Sequence, residues 1–142
     1  MKMKRMVLVA LGTLATAACS IQQQVEPVAS TERSGMEVCI VEDKTVREGF
    51  LPSYVSALQS RGISAKVVGS LAEGRACPMY STYMGNWRWD LAFYLAYAKI
   101  TVFRGEEKIG EALYDSLGGG GRPDKFIDAE TKINELVAQL FP

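Results

Sequence analysis

The sequence predicts an α+β fold in two layers, with a sheet on one side and helices on the other. A β-branched run, a stretch with helical apolar repeat and a second alternating run follow one another within about 33 residues, the size of a βαβ unit. An aromatic-rich stretch over residues 80–116 then reads as three antiparallel strands, and the chain ends in one more apolar helical stripe. The expected order is therefore β-α-β-β-β-α.

Composition limits the classes of function. The chain has 142 residues, of which 48% are hydrophobic and 23% charged, as in an ordinary globular protein. Its first eighteen residues contain Lys2, Lys4 and Arg5 and no acid, so the remainder carries 13 basic and 16 acidic residues. The resulting net charge of −3 argues against nucleic acid as a partner, because contacts to phosphates need a clustered basic surface. The chain has no histidine, which removes His-based triads and the commonest transition-metal ligand, so we predict no enzyme activity, metal or cofactor.

The N-terminus is typical of an export signal. Residues 1–18 combine a basic start, an apolar run of about a dozen residues that is too short to span a bilayer, and a small-residue end. Cys19 directly follows two alanines, which resembles the bacterial lipobox, although Thr16 stands where that motif usually has leucine. The resemblance implies cleavage before Cys19 and acylation of that cysteine. The alternative is a simple signal peptidase site.

The residues after Cys19 predict a location and a tether. In lipoproteins of this kind, the absence of aspartate at the next position, here Ser20, implies transport to the outer membrane. We therefore predict a lipid-anchored protein on the periplasmic face, with the membrane as its first partner. Residues 19–35 are polar and without periodicity, which predicts a flexible tether with a reach of roughly 50 Å. Residues 36–142 are predicted to form a single globular domain.

Residues 36–68 form the predicted βαβ unit. Strands are expected at Met36–Val41 and, parallel to it, at Ile63–Val68. The helix between them carries apolar residues at helical spacing, namely Phe50, Leu51, Tyr54, Val55 and Leu58. A capping-box spacing at Thr45 and Glu48 predicts a helix start near Val46, but Pro52 conflicts with that start, so either the first turn is irregular or the regular helix starts at Leu51.

Two cysteines besides Cys19 lie in the predicted domain. Cys39 lies in the first strand, and Cys77 lies at the end of a predicted loop over residues 69–78. In an exported domain such a pair is expected to form a disulfide, which would close a loop of about 38 residues and contribute about 4 kcal/mol in the chain-entropy model. Two buried free thiols are the alternative.

The third predicted strand, residues 80–90, presents different side chains on its two faces. Period two places Trp87 and Trp89 together on a face predicted to be buried. The opposite, solvated face has Asn86, Arg88 and Asp90. With the nearby Tyr94, these three polar residues form the candidate partner surface.

The remaining elements complete the domain. The fourth strand, Leu91–Phe103, changes its inward parity, which predicts a bulge near Ala98 or coverage on both sides at one end. A hairpin turn over residues 104–107 leads to a fifth strand at Lys108–Asp115. Residues 117–121 are glycine-rich, but no Lys-Ser or Lys-Thr follows, so we predict a flexible connector rather than a phosphate loop. Pro123 is predicted to open the C-terminal helix.

Several segments resemble a family of small Gram-negative lipoproteins to which no activity is assigned. The segments are NWRWD at residues 86–90, YLAYA at 94–98, GEALYDS at 110–116, KFI at 125–127 and QLFP at 139–142. The resemblance covers nearly the whole exported domain. It implies an envelope location and no particular mechanism.

These observations favour a non-enzymatic lipoprotein that presents its sheet to another envelope protein. The alternative is a peptidoglycan or glycan binder, or a carboxylate-dependent glycan hydrolase. It would use Trp87 or Trp89 as a platform and two of Asp90, Glu111 and Asp115 as acid and base. A carrier of small apolar ligands is a third class, which would require a pocket between sheet and helices.

Overall fold

The computed structural model describes residues 20–32 and 35–142 and folds them around one six-stranded sheet. The strands are β1 (Gln22–Glu26), β2 (Glu37–Val41), β3 (Ser64–Val68), β4 (Tyr80–Trp89), β5 (Phe93–Arg104) and β6 (Glu107–Asp115). The helices are α1 (Phe50–Ser60), α2 (Leu71–Arg75) and α3 (Ala129–Leu140). Short 3₁₀ turns occupy Ser30–Glu32, Leu117–Gly119 and Pro123–Phe126. The predicted α+β fold class is confirmed.

The sheet has the spatial order β1-β6-β5-β4-β2-β3. As predicted, β2 and β3, which precede and follow α1 in the sequence, pair in parallel. Strands β4, β5 and β6 form the predicted antiparallel meander. A short parallel pairing of β2 with β4 joins the two parts. The sheet is therefore mixed, and the antiparallel strands lie at its centre.

Helices α1 and α3 cover one face of the sheet. Because strand side chains alternate, Val38 and Ile40 of β2, and Ile100 and Val102 of β5, all point into this layer and are fully buried. Phe50, at the start of α1, stacks on Tyr83 of β4 with ring centroids 5.0 Å apart. This face is the main core of the domain.

The prediction of a flexible tether is wrong for residues 22–26, which form β1. This strand pairs with β6 along its whole length, from Gln22 opposite Asp115 to Glu26 opposite Glu111. The next residues continue the docking, since Val28 is buried and its backbone N–H donates to Leu140 O at 2.8 Å. Residues 1–18 and Cys19 lie outside the described residues, and so do residues 33–34 of the predicted tether.

A polar cluster ties β1 to α3. Gln23 Nε2 donates to Glu135 Oε1 at 2.8 Å, and Lys132 Nζ donates to Glu135 Oε2 at 2.8 Å and to Gln23 Oε1 at 3.0 Å. The hydrogen bond from Lys132 is the main cause that lowers the pKa of Glu135 below its ordinary value of 4.5. The ionised carboxylate therefore stabilises this contact.

Replacing Glu135 with glutamine is expected to destabilise the protein in a pH-dependent way. A lowered pKa means that the stabilisation is present above about pH 4.5 and is lost as the pH falls through the folded-state value. Because the side chain is partly exposed, the effect at pH 7 should be only about 0.5 kcal/mol. Urea unfolding of both proteins at pH 7 and near pH 3 measures it. A difference that persists unchanged at the lower pH would contradict the assignment.

Helix starts differ from those predicted. Helix α1 begins at Phe50, after Gly49 with φ 100°, which is one residue before the predicted start at Leu51 and excludes a start at Val46. Thr45 caps no helix, because its N–H and hydroxyl both donate to Asp43 Oδ1, at 2.9 and 2.6 Å, within a surface turn.

The predicted loop over residues 69–78 contains α2, where Ser70 Oγ accepts from Glu73 N–H at 3.2 Å. Pro123 opens a 3₁₀ turn instead of α3, and α3 begins at Ala129 because Asp128 caps it by accepting from Thr131 N–H at 2.9 Å.

The predicted bulge near Ala98 is confirmed in β5. Asn86 lies opposite Tyr97 and Trp87 lies opposite Leu95, so Ala96 is an extra residue on β5. Leu95 and Ala96 are both buried, although they are consecutive. The extra residue accounts for the change of parity seen in the sequence.

Candidate functional site

Three of the four candidate partner residues lie on one face of the sheet. Arg88 is opposite Tyr94, and Asn86 is opposite Tyr97, on the face away from α1 and α3. Asp90 is not part of this group. It lies in the β4–β5 turn, and its carboxylate is bound by Lys125 at 2.6 Å.

The face away from α1 and α3, here called the open face, carries a mixture of apolar and charged side chains. Its central members are Met84 of β4, Tyr97 and Lys99 of β5, and Glu111 and Leu113 of β6. Met84 is 56% exposed, and Lys99 Nζ lies 3.3 Å from Glu111 Oε2. Among the described helices, α2 is the one that packs on this side, next to β2. The open face is therefore accessible and not wholly polar.

The two tryptophans have different environments, so the prediction that both are core residues is wrong for Trp89. Trp87 is half-buried, with its ring edge-on to Phe50 at 6.3 Å. Trp89 is 64% exposed because, within the part of the chain that the structure describes, no helix covers the end of β4. Its ring contacts Phe93, which is 62% exposed, at a centroid distance of 5.1 Å.

This aromatic pair belongs to a larger group of exposed apolar side chains, here called the apolar tip. It consists of Trp89, Leu91, Phe93, Leu117 and Phe126, all of them exposed. Leu91 is 91% exposed and adopts a left-handed conformation with φ 60° in the hairpin turn. Large apolar side chains gathered at one end of a domain are typical of a contact surface.

Lys125 is buried beside the apolar tip and contacts the segments that carry it. It is only 4% exposed, and its Nζ donates to Asp90 Oδ2 and to the Gly120 carbonyl. The same group lies 5.2 Å from the Tyr94 ring centroid and 5.1 Å from that of Phe126, close enough for cation–π attraction. The hydrogen bond to Asp90 is the main cause that raises the pKa of Lys125.

The glycine-rich segment, predicted to be a flexible connector, adopts a defined turn in the structure. Leu117–Gly119 forms a 3₁₀ turn, and Ser116 Oγ donates to Ala96 O at 3.1 Å. Sequence reasoning missed Lys125 because an isolated lysine in a polar stretch ordinarily faces solvent.

Replacing Lys125 with methionine is expected to loosen this segment. The apolar chain is retained, but Asp90 and the Gly120 carbonyl lose their cationic partner, so we expect backbone amides of residues 117–121 to exchange about tenfold faster. Hydrogen exchange with mass spectrometry measures this, and Lys44→Met, at an exposed turn residue, is the control. Equal exchange in both variants would show that Lys125 does not hold the segment.

Two of the three carboxylates of the hydrolase hypothesis, Glu111 and Asp115, do not have the spacing of an acid–base pair, and the third, Asp90, is bound by Lys125. Glu111 lies within 3.7 Å of both Lys99 and Lys108, and Asp115 Oδ1 accepts from Leu117 N–H at 2.8 Å. Glu111 and Asp115 are four residues apart on one strand, which separates their Cα atoms by about 13 Å. Glycoside hydrolases place the two carboxyl groups about 5 to 10 Å apart. This geometry gives the hydrolase hypothesis no support.

Cys39 and Cys77 form a disulfide, as predicted. It joins β2 to the segment after α2. Beside it, on the same side of the sheet as the open face, lies a small second core of Val68, Tyr80 and Phe103. Among residues 20–32 and 35–142, no cluster of acidic or cysteine side chains suits a metal ion, and no helix is long and apolar enough to cross a bilayer.

Comparison with known proteins shows a fold. No protein-family model and no curated protein matches the chain. Among solved structures, it is similar to the dodecamer of a single-substitution variant of PelC from Paraburkholderia phytofirmans, with 12% identity over 87% of this chain and 99% of that chain and a TM-score of 0.58. The PelC dodecamer from the same organism gives 9% identity over 85% and 94% of the two chains and a TM-score of 0.55. At such identity, the likeness defines a shared α+β fold.

Proposed function

We propose that the protein is a lipoprotein of the outer membrane that is anchored on the periplasmic side by acylated Cys19. It serves as a non-enzymatic interaction module that binds another envelope protein. The observation that carries the interaction is the open face, where Met84, Tyr97 and Leu113 lie among charged side chains on the three central strands. Interfaces of non-obligate complexes have this mixture of apolar core and polar rim.

Other features support the envelope assignment. The disulfide between Cys39 and Cys77 fits an oxidising compartment. The export signal over residues 1–18 and the resemblance to small Gram-negative lipoproteins are consistent with it.

A second copy of the chain is another candidate occupant of the open face. The two PelC structures that share the fold are dodecamers. Self-association through the same face would make the protein a component of a ring or stack. The experiment must therefore separate a homomeric contact from a heteromeric one.

In-cell photo-crosslinking tests the interaction. A photoreactive residue at Met84 probes the open face, and one at Glu130, an exposed residue of α3, is the matched control. We expect a discrete protein adduct from Met84 only, and its mass identifies either a second copy or a different envelope protein. Adducts of equal yield from both positions, or none from Met84, would refute the proposal.

The anchor is tested separately. Replacing Cys19 with alanine should move the protein from the membrane fraction to the soluble fraction, since acyl chains hold such a protein on the bilayer. Its persistence in the membrane fraction would refute acylation at Cys19.

Glycan binding without catalysis is the second candidate. It is favoured by one observation, the depression between Arg88, Trp89, Tyr94 and Leu117, where an exposed indole lies beside a guanidinium group. Co-sedimentation with peptidoglycan tests it. Binding that is lost in Trp89→Ala but kept in Met84→Ala would favour this candidate over the open face.

A further inference from the structure

The first observation is that the apolar tip is one continuous surface. Trp89 and Phe93 are in ring contact, Trp89 and Leu117 border the same depression, and Phe126 contacts Tyr94 beside them. Leu91, the most exposed of the large apolar residues, projects from the hairpin turn between Trp89 and Phe93. The open face around Met84 is a different part of the sheet surface.

The second observation is that the chain enters the domain at this same end. A Cβ built on Gly118 would lie 3.1 Å from Ser20 O, and one built on Gly119 would lie 3.3 Å from Ile21 Cγ1. Ser20 and Ile21 therefore contact the turn that carries Leu117. Cys19 is the next residue upstream of Ser20 in the sequence.

The pairing of β1 with β6 limits how the domain can be oriented relative to the bilayer. A flexible tether would let the domain take any orientation relative to the bilayer. Instead, β1 is paired with β6 from Gln22 onward, so the described chain begins at Ser20 beside the turn that carries Leu117, and acyl chains on Cys19 would be attached one residue upstream of it. Whatever surface those chains enter must lie against this end of the domain.

We propose that the apolar tip is a membrane-contacting surface, which places Trp89, Leu91 and Phe93 in the interfacial region of the leaflet that holds the acyl chains of Cys19. This inference rests on the proposed lipid anchor and adds an orientation to it. Tryptophan is enriched at the level of lipid headgroups, and an apolar surface can enter the boundary of headgroups and acyl chains by about 5 to 10 Å.

Basic side chains at the edge of the tip fit the same role. Arg88 is exposed next to Trp89, and the guanidinium of Arg47 lies 4.8 Å above the Phe93 ring. Guanidinium groups in this position are suited to lipid phosphates. The open face then remains free for a protein in the periplasm.

Quenching of Trp89 by brominated lipids tests the proposal. The full-length acylated protein carrying Trp87→Phe, which leaves Trp89 as its only tryptophan, is reconstituted into vesicles of phosphatidylethanolamine and phosphatidylglycerol. Because bromine quenches indole emission only at short range, we expect brominated acyl chains to reduce the emission at least about twofold relative to unbrominated vesicles. In the matched variant Trp89→Phe, the half-buried Trp87 should be quenched much less.

A second pair of variants checks the surface itself. In the Trp87→Phe background, Leu91→Ser with Phe93→Ser should weaken the quenching of Trp89, whereas Met84→Ser on the open face should leave it unchanged. Circular dichroism verifies that each variant is folded.

Vesicle flotation separates the two ways of failing. Protein that floats with the vesicles but shows equal emission in both lipids overturns the membrane contact and leaves the anchor intact. Protein that does not float overturns the anchor as well.

Discussion

Reduction of the Cys39–Cys77 disulfide is expected to lower the free energy of unfolding by about 4 kcal/mol. The bond joins residues 38 positions apart, so breaking it restores much conformational freedom to the unfolded chain. The folded state also depends on the bond locally, because it fastens the short helix α2 and its flanking loop to β2. Urea unfolding of the same protein with and without a thiol reductant measures the difference without any substitution.

The double variant Cys39→Ala with Cys77→Ala is the control for this measurement. It should unfold at low urea in both conditions, with no dependence on the reductant. If the oxidised and reduced wild-type proteins unfold at the same urea concentration, the disulfide does not stabilise the fold.

The central fold could be predicted because its signals are local. Alternating and β-branched runs indicated β2 to β6, and a helical repeat after the first strand indicated the βαβ unit with its parallel pairing. The change of parity in β5 indicated a bulge, which the structure places at Ala96. These patterns record which side chains face the core.

Strand β1 could not be predicted because its signal is not in its own residues. Gln22–Glu26 is a polar run with one valine, and as an edge strand it has little apolar surface to bury. What docks it is distant in sequence, namely its pairing with β6, the contacts of Gln23 with α3, and the buried Val28. Gly110 contributes by its lack of a side chain, because a Cβ there would lie 2.6 Å from Val28 Cγ2.

The candidate site was predicted in part for a related reason. Period two places Trp87 and Trp89 on one face of β4, and it does so correctly, but it carries no information about where the helix layer ends. The structure shows that the layer covers Trp87 and leaves Trp89 exposed. Lys125 could not be predicted as a site residue, because its partners, Asp90 and the Gly120 carbonyl, are brought to it by the tertiary fold.

The structure separates two surfaces that the sequence combined. The candidate residues Asn86, Arg88, Asp90 and Tyr94 were treated as one partner surface. In the fold, Asn86, Arg88 and Tyr94 lie on the open face, with Arg88 and Tyr94 at its border with the apolar tip, whereas Asp90 lies in the β4–β5 turn and is bound by Lys125. The proposed contacts with a periplasmic partner and with a membrane therefore use different surfaces.

Replacing Phe50 with alanine is expected to lower the free energy of unfolding by about 3 to 5 kcal/mol. The ring is fully buried, stacks on Tyr83 and meets the edge of Trp87. It also fills the space over Gly85, where a Cβ would lie 2.8 Å from Phe50 Cδ2. The backbones of α1 and β4 cannot move into the space left by the ring without breaking the contact between α1 and the sheet. A cavity should therefore remain. Urea or thermal unfolding measures the loss.

Phe93→Ala is the matched control, since it removes the same ring from an exposed position. It should change the free energy of unfolding by no more than about 0.5 kcal/mol, yet it should weaken the contact of the tip with vesicles. Phe50→Ala should do the reverse for as long as the variant remains folded. Comparable destabilisation by both substitutions would mean that Phe93 is buried in solution, and the apolar tip would then be part of the core rather than a contact surface.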